Sequence, residues 1–577
     1  MEENKTHQDN KLFHFDKNSK KASLKPDSRI QNRRNHLFKH QDADDIKRNR
    51  DEHNVALRKE AKNKKFAKRR NYGANTQSDV GTTNSTPVEK IEYTIEQAQS
   101  LWEEGMDIMD YFKILANTKF ELSHFLLILE FIGSNEDPKV LFAVVGLRKL
   151  LSLIDNPPIQ NVIDANLLPQ LISLIGRSDI PRIQFEVLWC LTNIASGKAE
   201  HVQALIDKGT IPIFISLLGT THRNEDGTET YHNPYQQNIV EQSIWALGNI
   251  AGEDTYYKAM ILKEGALKPL ANILQNAEPN SMLARNCMWC ITNLLRGKPL
   301  PSFEELIYII PIIKECLKMN DRKEIVIDGM WAISYISDAG EQAVIRMIEC
   351  GILNPLMAHL QHSNNNIIMP CVRALGNFVT GEDTETQTVI DAGVLPYLHA
   401  LLSHQDNAIV KETCWTLSNI CAGTINQISV LIETGIIDKM IELTSTDVYE
   451  IQREAGWSIS NATALRDTDI VAEIVKRKGI EAMSHVLTTK VDIKTAVVLL
   501  EGIRNCLEVG QQSFINEQGD NEFALIVEQC GGLDTIEQMQ EHENQQIYEI
   551  AVEIIESYFQ VEEVDLDGDA DDMLLQF

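Results

Sequence analysis

The sequence predicts an all-α solenoid in which about ten units of short helices stack into a right-handed superhelix. Three observations predict it. Gly, Pro and Asn interrupt short helix-like segments from about residue 90 to 560, no segment sustains the alternation typical of strands, and one motif returns about every 42 residues. A unit of this size cannot bury its apolar face alone, so the units must share a continuous core along a concave groove.

The repeated motif pairs a large side chain with a carboxamide four residues later, as in SIWALGNIAGED (243–254). The first member falls at Trp189, Trp245, Trp289, Trp331, Arg373, Trp415 and Trp457, at intervals of 56, 44, 42, 42, 42 and 42 residues. The second member falls at Asn193, Asn249, Asn293, Tyr335, Asn377, Asn419 and Asn461. A helical period near 42 lies in the armadillo/HEAT range, so we predict armadillo repeats.

Two further features complete the repeat pattern. The long first interval contains residues 221–237, THRNEDGTETYHNPYQQ, which we expect to form a surface loop. Most units contain a turn in which Gly ends one helix and Pro lies near the start of the next, as in DAGVLPYLHALL (391–402).

Charge divides the chain into two parts. Residues 1–75 contain 21 Lys and Arg against 11 Asp and Glu, a net charge of +10. Because the whole chain has a net charge of −29, residues 76–577 carry a net charge of −39. A basic arm on an acidic body could bind nucleic acid, or it could bind the body and partners like it. The second reading is favoured because an acidic body repels phosphate and attracts cationic peptides.

Composition also predicts the domain boundaries. We expect residues 1–75 to be a mostly disordered basic arm and residues 76–90 to be a flexible linker rich in Gly, Ser, Thr and Asn. Residues 91–560 are expected to form the solenoid, and residues 561–577 an acidic, disordered tail.

Other classes of protein are disfavoured. No window approaches the roughly 18 consecutive apolar residues of a membrane span, and the N-terminus lacks the apolar stretch of a secretory signal. Cys287 and Cys290 form a CxxC motif without a second pair, so we expect core packing, no metal and no cofactor. The absence of P-loop, GxGxxG, HExxH and GxSxG motifs argues against an enzyme.

The repeated pairs suit a peptide ligand. Residues i and i+4 share one helix face, so stacking the units aligns the pairs into what we call the Trp/Asn ladder. Carboxamides can pair with the backbone of an extended peptide, and slots between indoles suit the stems and cations of Lys or Arg. Candidate carboxylates for those cations are Glu253, Asp254, Glu412 and Glu454. The predicted ligand is a Lys/Arg-rich segment of the kind that acts as a nuclear localisation signal.

The alternative is that these tryptophans simply belong to the core. Two features of the sequence argue against it. A buried amide must find hydrogen-bond partners, and Arg373 stands where an indole is expected.

Longer segments carry a family resemblance. WCLTNIASG, VEQSIWALGNIAG, GMWAISYISDAG, RALGNFVTGEDTETQ, KETCWTLSNICAG and EQCGGLDTIEQMQEHENQQIYEIAVEIIESYF resemble the importin alpha (karyopherin alpha) family of nuclear import adaptors, over about residues 28–563. The resemblance implies a major signal-binding site on repeats two to four, a minor site on repeats six to eight, and shuttling between cytoplasm and nucleus. It implies as partners importin beta, cargo proteins with localisation signals and an export receptor, with no direct nucleic-acid or membrane partner.

Positions carried over from the family define the two sites. The implied major site comprises Trp189, Asn193, Gly197, Gln242, Trp245, Asn249, Glu253, Asn286, Trp289 and Asn293. The implied minor site comprises Arg373, Asn377, Thr380, Thr386, Glu412, Trp415, Asn419, Glu454, Trp457 and Asn461. Two residues depart from the family pattern, since Glu253 stands where Asp is usual and Val202 where Thr is usual.

The arm also resembles the family. Residues 44–73 are similar to its importin-beta-binding segment, and Lys68, Arg69 and Arg70 resemble a localisation signal in cis that occupies the major site until importin beta captures the arm. Tethering would let even a weak internal signal compete with cargo.

Two other functions compete with this reading. Scaffolds of the beta-catenin kind generally have basic grooves without a regular Trp/Asn ladder, and direct nucleic-acid binding by residues 1–75 is opposed by their few aromatic residues and by the acidic body.

Overall fold

The computed structural model describes residues 92–102, 106–153, 155–219, 221–223, 229–231, 235–279, 281–318 and 323–559. Within these ranges the chain is built from helices, apart from isolated bridges and one two-stranded hairpin. The predicted all-α repeat solenoid is therefore confirmed. The predicted arm (1–75), linker (76–90) and tail (561–577) lie outside the described residues.

The helices of the described ranges are numbered here in chain order, and a short 3-10 helix, Leu122–His124, precedes α3. They are α1 (Ile95–Trp102), α2 (Ile108–Ala116), α3 (Phe125–Ile132), α4 (Asp137–Leu151), α5 (Ile159–Asp164), α6 (Leu168–Leu174), α7 (Pro181–Ala195), α8 (Ala199–Ile206), α9 (Thr210–Leu217), α10 (Gln236–Glu253), α11 (Thr255–Lys263), α12 (Leu267–Asn276), α13 (Met282–Leu295), α14 (Phe303–Leu317), α15 (Lys323–Ser337), α16 (Glu341–Glu349), α17 (Leu353–His359), α18 (Asn365–Phe378), α19 (Asp383–Asp391), α20 (Leu395–Leu401), α21 (Asn407–Cys421), α22 (Ile425–Glu433), α23 (Ile436–Leu443), α24 (Tyr449–Thr463), α25 (Thr468–Lys476), α26 (Gly479–Leu487), α27 (Ile493–Ser513), α28 (Glu522–Gln529), α29 (Gly532–Met539) and α30 (Gln545–Tyr558).

From α2 onward the helices fall into repeats of three, each ending in a long helix that we call the third helix. The third helices are α4, α7, α10, α13, α15, α18, α21, α24, α27 and α30. Repeat five has only two helices because α14 replaces the first two. Each third helix packs against the third helix of the next repeat, and this contact runs through the whole array.

Left-handed residues turn the chain between the first and second helices, as the Gly-containing motifs predict. Gly209 and Gly435 have φ angles of 70° and 72°, a conformation that glycine adopts without a clash at Cβ. In repeats two and nine, Asn166 (φ 51°) and Lys478 (φ 70°) hold the equivalent turn. The turn geometry is therefore common to these repeats, although the residue type is not.

The apolar core is continuous along the array. It extends from Ile95 to Ile554, with Phe142, Phe214 and Phe378 fully buried within it. Because neighbouring repeats share the core, the relative positions of the third helices depend on packing along the whole stack.

The insertion in repeat three differs from its prediction as a loop. Strands β1 (Thr221–Arg223) and β2 (Glu229–Tyr231) pair antiparallel, with Thr221 opposite Tyr231. Thr and Tyr favour strands, and the intervening NEDGT has turn composition, so a local hairpin signal was present but too short to recognise. Just after the hairpin, the Tyr235 hydroxyl lies 3.9 Å from the sulfur of Met109 in α2.

Candidate functional site

The Trp/Asn ladder lies on consecutive third helices. Its seven pairs occupy α7, α10, α13, α15, α18, α21 and α24, one pair to a helix. Since these helices pack directly on one another, the 42-residue period places equivalent side chains in register.

The carboxamides link each repeat to the one before it. In five of them, the Nδ2 amide donates to a backbone carbonyl of the previous repeat. The acceptor is always the residue just before the second member of that repeat's pair. The donor–acceptor pairs are Asn249 to Thr192 (3.1 Å), Asn293 to Gly248 (2.9 Å), Asn377 to Ser334 (3.3 Å), Asn419 to Gly376 (3.5 Å) and Asn461 to Ser418 (3.0 Å). At the ends of the series, Asn193 and Asn505 donate to the hydroxyls of Ser152 and Thr463 instead.

These bonds change one argument made from the sequence. Asn193, Asn249, Asn293 and Asn419 are 3–7% exposed, so the ladder amides are largely buried. A buried polar side chain needs a hydrogen-bond partner, and the preceding repeat supplies an acceptor for each amide. The presence of Asn therefore does not by itself distinguish a ligand-binding surface from packed interior.

Small residues before the carboxamide receive the next repeat's indole. A Cβ added to Gly248 would lie 2.3 Å from a ring carbon of Trp289, and one added to Gly376 would lie 2.1 Å from a ring carbon of Trp415. The same Gly-Asn pair thus supplies both the space for the indole and the carbonyl that accepts the next amide. The sequence signal was available, since the preceding residue is small in every repeat of the ladder: Thr192, Gly248, Thr292, Ser334, Gly376 and Ser418, with Ser460 before Asn461.

The indoles are not all equally accessible. Trp245 and Trp457 are only 5% and 8% exposed, and both lie outside the contiguous apolar core. Trp189, Trp289 and Trp415 are half-buried. The ladder indoles are thus partly or largely buried, and Trp189 packs against the apolar core.

An ion cluster borders the ladder at Trp189. Arg148 of α4 places its guanidinium carbon 4.9 Å from the ring centroid of Trp189, and its Nε donates to Glu186 at 2.7 Å. The other carboxylate oxygen of Glu186 accepts from Arg182, whose guanidinium lies 3.3 Å over the ring of Phe112. Burial would raise the pKa of Glu186, but the two guanidiniums hold that pKa below its ordinary value.

Residues flanking the implied major site have structural roles of their own. Gly197 is required because a Cβ there would lie 2.3 Å from Nδ1 of His201, the ring that caps the start of α8. Asn286 is buried and donates to Glu241 at 3.0 Å, and Gln242 is 6% exposed.

Two acidic residues, Glu253 and Asp254, lie at the C-terminal end of α10. Glu253 is half-buried at the last position of the helix, on the same segment as Trp245. Asp254 is exposed and caps α11, since its Oδ1 accepts from the Tyr256 amide at 2.7 Å. Val202, the other departure from the family pattern, is fully buried.

The implied minor site already contains cations of the protein. Arg373 makes two bonds to the buried Glu412, at 2.7 and 3.0 Å, and Arg453 pairs with Glu454 at 2.9 Å. Burial raises the pKa of Glu454, and Arg453 only partly offsets this effect. The two carboxylates predicted to receive a ligand cation are thus engaged within the chain.

Two threonines complete the minor-site set. Thr380 donates its hydroxyl to the Asn377 carbonyl at 2.8 Å and remains half-buried. Thr386 is fully buried and donates its hydroxyl to the Glu382 carbonyl at 3.1 Å.

Repeat five separates the two sets. Trp331 and Tyr335 of α15 lie with ring centroids 5.8 Å apart and planes tilted by 30°. A phenol replaces the carboxamide here, so the backbone-pairing group of the ladder is missing from this repeat.

Outside the ladder, the remaining motifs are structural or lie beyond the described ranges. Cys287 and Cys290 are fully buried in the core, and burial raises the pKa of the Cys287 thiol well above its ordinary value. In the part of the chain that the structure describes, no cluster of His, Cys, Asp and Glu could hold a metal ion, and no helix has the length and apolar character of a membrane span. Lys68, Arg69 and Arg70 lie outside the described residues.

Comparison with known proteins agrees with this architecture. Residues 155–196, 341–380 and 385–422 match the armadillo/beta-catenin-like repeat, residues 521–573 match an atypical armadillo repeat, and residues 33–110 match the importin beta binding domain. A crystal structure of an engineered protein superimposes with a TM-score of 0.63 at 20% identity, covering 74% of this chain and 97% of that one. That likeness bears on the fold alone.

An armadillo array preceded by an importin-beta-binding segment defines a class of transport adaptors rather than of enzymes. The chain is 35% identical to importin subunit alpha-1a of Oryza sativa subsp. japonica over 547 residues, which cover 95% of each protein. It is 34% identical to importin subunit alpha-2 of Arabidopsis thaliana over 550 residues, 94% of each protein. This chain belongs to the importin alpha family, and its role is that of a nuclear import adaptor with an importin-beta-binding segment.

Replacing Gly248 by Ala tests the contact between repeats. The added methyl overlaps the indole of Trp289, so we expect the free energy of unfolding to fall by about 1–3 kcal/mol. Urea unfolding measures the change. Gly133→Ala is the matched control, since nothing lies within 4 Å of a Cβ there, and equal effects of the two substitutions would contradict the proposed contact.

Opposite pH dependences are expected at the two buried glutamates. The pKa of Glu186 lies below 4.5 in the folded chain, so its stabilisation is present above pH 4.5 and is lost as pH falls through the lower folded value. Glu186→Gln should therefore destabilise by about 3 kcal/mol at pH 7, with the difference from wild type shrinking below pH 4.5.

Glu454→Gln is the counterpart with the opposite sign. The pKa of Glu454 lies above 4.5 when folded, so ionisation costs stability as pH rises through that higher value. The free energy of unfolding of the variant should therefore increase relative to that of wild type as pH rises above 4.5. Urea midpoints from pH 3 to 7 measure both effects, and parallel curves for the two variants would show that the assigned directions are incorrect.

Proposed function

We propose that the Trp/Asn ladder binds extended, Lys/Arg-rich nuclear localisation signals of cargo proteins, and that the N-terminal arm both recruits importin beta and competes for the ladder. The main observation in support is the hydrogen bond that each ladder amide donates to the preceding repeat. It holds the carboxamides at one register along the stack, as a repeating peptide backbone requires.

The chemistry of the ladder side chain suits a peptide. A carboxamide offers N–H donors and a carbonyl acceptor, which match the C=O and N–H groups of an extended backbone. The packed repeats hold the amide in place, so peptide binding costs little side-chain entropy. Backbone pairing of this kind fixes the direction of the ligand without selecting its side chains.

Selection for Lys and Arg follows from the indoles and the charge. The half-buried faces of Trp189, Trp289 and Trp415 suit aliphatic stems, and cation–π attraction adds about 0.5–2 kcal/mol for each cation held. The net charge of −39 on residues 76–577 draws basic peptides toward the array and repels nucleic acid.

Two separate binding segments are proposed, with repeat five between them. Trp331 and Tyr335 pack together there, and no carboxamide continues the backbone pairing. We propose that signals with two basic clusters bind one cluster on each side of repeat five, and that the intervening residues cross it.

We further propose how the carboxylates near each site take part in binding. In the minor site, Glu412 and Glu454 already pair with Arg373 and Arg453, so a ligand cation must compete with a cation of the chain. At the major site, Glu253 is half-buried at the last position of α10, the helix that holds Trp245, and we propose that it meets the ligand's leading cation.

The proposed arm function rests on charge and tethering. Residues 1–75 carry +10, and within them Lys68, Arg69 and Arg70 form a compact basic cluster of the ligand's own type. Covalent attachment raises the effective concentration of such a cluster at the ladder. Importin beta, by binding the arm, would free the ladder for cargo.

The remaining parts of the proposal follow the family. We propose that residues 1–75 form the regulatory arm, 76–90 a linker, 91–560 the solenoid and 561–577 a tail. We also propose that an export receptor returns the chain to the cytoplasm, so that it shuttles between the two compartments.

Asn249→Ala tests the role of the ladder in binding. The substitution removes a backbone-pairing amide, so we expect the affinity for a Lys-rich signal peptide to fall about tenfold in calorimetry. Asn505→Ala is the matched control, because it removes an equivalent amide, bonded to Thr463, beyond both proposed sites. If Asn505→Ala weakened peptide binding as much as Asn249→Ala, the effect would reflect stability and not recognition.

Replacing Lys68, Arg69 and Arg70 together by Ala tests competition by the arm. We expect the full-length variant to bind the same signal peptide at least about ten times more tightly than wild type, because the internal competitor is lost. Replacing Lys17, Lys20 and Lys21 by Ala removes the same charge elsewhere in the arm and should change the affinity little. Equal gains from both triple variants would indicate a general charge effect instead of a signal mimic.

A further inference from the structure

Arg148 covers one face of the first indole of the ladder. Its guanidinium carbon lies 4.9 Å from the ring centroid of Trp189, within the range of a cation–π contact. Arg148 belongs to α4, the third helix of repeat one, so it covers the face that Trp189 turns toward the N-terminal end of the array. The face toward Trp245 is left to the ladder.

The covering guanidinium is held in place by buried charge. Its Nε donates to Glu186 at 2.7 Å, and the Glu186 side chain has no exposed surface. Arg182 occupies the second carboxylate oxygen and is itself stacked on Phe112. If Arg148 moved away, the buried carboxylate of Glu186 would lose one of its two cationic partners. Displacement of Arg148 by a ligand cation is therefore energetically unfavourable.

Repeat one offers no alternative slot. The position equivalent to a ladder indole is Leu147, which is fully buried, so repeat one has no indole at the ladder position. The position next to Trp189 on the side of repeat one is therefore already filled by a cation of the chain.

We propose that Arg148 is a specificity-determining residue that ends the cation-binding ladder at Trp189. The inference rests on the proposed signal-binding function and adds to it a limit on register. A basic peptide cannot gain affinity by extending one slot toward repeat one, and a run of basic residues cannot slide in that direction.

The test uses full-length protein and three synthetic peptides. All three contain the same basic core. The first peptide has Ala-Ala at both ends. The second has Ala-Lys in place of the C-terminal Ala-Ala, and the third has Lys-Ala in place of the N-terminal Ala-Ala. The added Lys stands two residues from the core because alternate side chains of an extended peptide point to the same side. The quantity measured is the ratio of dissociation constants between the Ala-Ala peptide and each Lys peptide, which cancels competition by the arm.

For wild type, the Lys at the end nearest repeat one should change the dissociation constant by less than about twofold. Arg148→Gln uncovers Trp189, so the ratio for that end alone should rise about 3- to 10-fold, as expected for one recovered cation–π contact. Arg182→Gln is the matched control: it removes the other partner of Glu186 and the same charge but leaves Trp189 covered. Its ratios should equal those of wild type.

The outcomes separate the two proposals. If the Ala-Ala peptide binds and Arg148→Gln leaves both ratios unchanged, or if wild type already gains from Lys at both ends, the role of Arg148 is refuted. If no peptide binds any variant, the signal-binding function itself fails. Circular dichroism checks that each variant is folded. If Arg148→Gln is unfolded, Arg148→Lys replaces it, because lysine keeps a positive charge beside Glu186 but lacks the planar group that stacks on Trp189. Arg148→Lys should raise the same ratio by a smaller factor.

Discussion

The structure depends on one recurring contact, in which a third helix presents a small residue and its carbonyl to the helix that follows. Gly248 shows both roles, since it leaves room for the indole of Trp289 while its carbonyl accepts the amide of Asn293. Because each repeat is positioned by the one before it, the same contact sets the spacing and orientation of every ladder side chain. The proposed peptide-binding surface is therefore ordered before any ligand arrives.

Charge compensation within the chain shapes what that surface can accept. Buried carboxylates need cationic partners, and the chain supplies its own at Glu186 and Glu412. One of these partners, Arg148, also covers an indole, and another, Arg373, replaces one. Under the proposed function, stability and ligand selection are coupled, since the arginines that neutralise buried acids also decide which aromatic faces are left for a ligand.

Local patterns in the sequence predicted much of the site. The fixed interval from Trp to Asn identified the ladder, and the flanking Gly and Pro identified the turns. The partners of individual side chains were not predictable: Asp254 caps a helix, Thr386 is buried, and Glu412 pairs with Arg373 from a repeat 39 residues away. Such partners come from separate repeats, so no local spacing encodes them.

By itself the sequence determined the helical period, the number and order of repeats, the division into a basic arm and an acidic body, and the identity of the ladder residues. These follow from composition and periodicity, which are properties of neighbouring positions along the chain. Only the tertiary structure decided that the ladder amides are buried and bonded to the previous repeat, and that Arg148 covers Trp189. The physical reason is that burial and ion pairing arise where repeats meet, at distances set by packing across the stack.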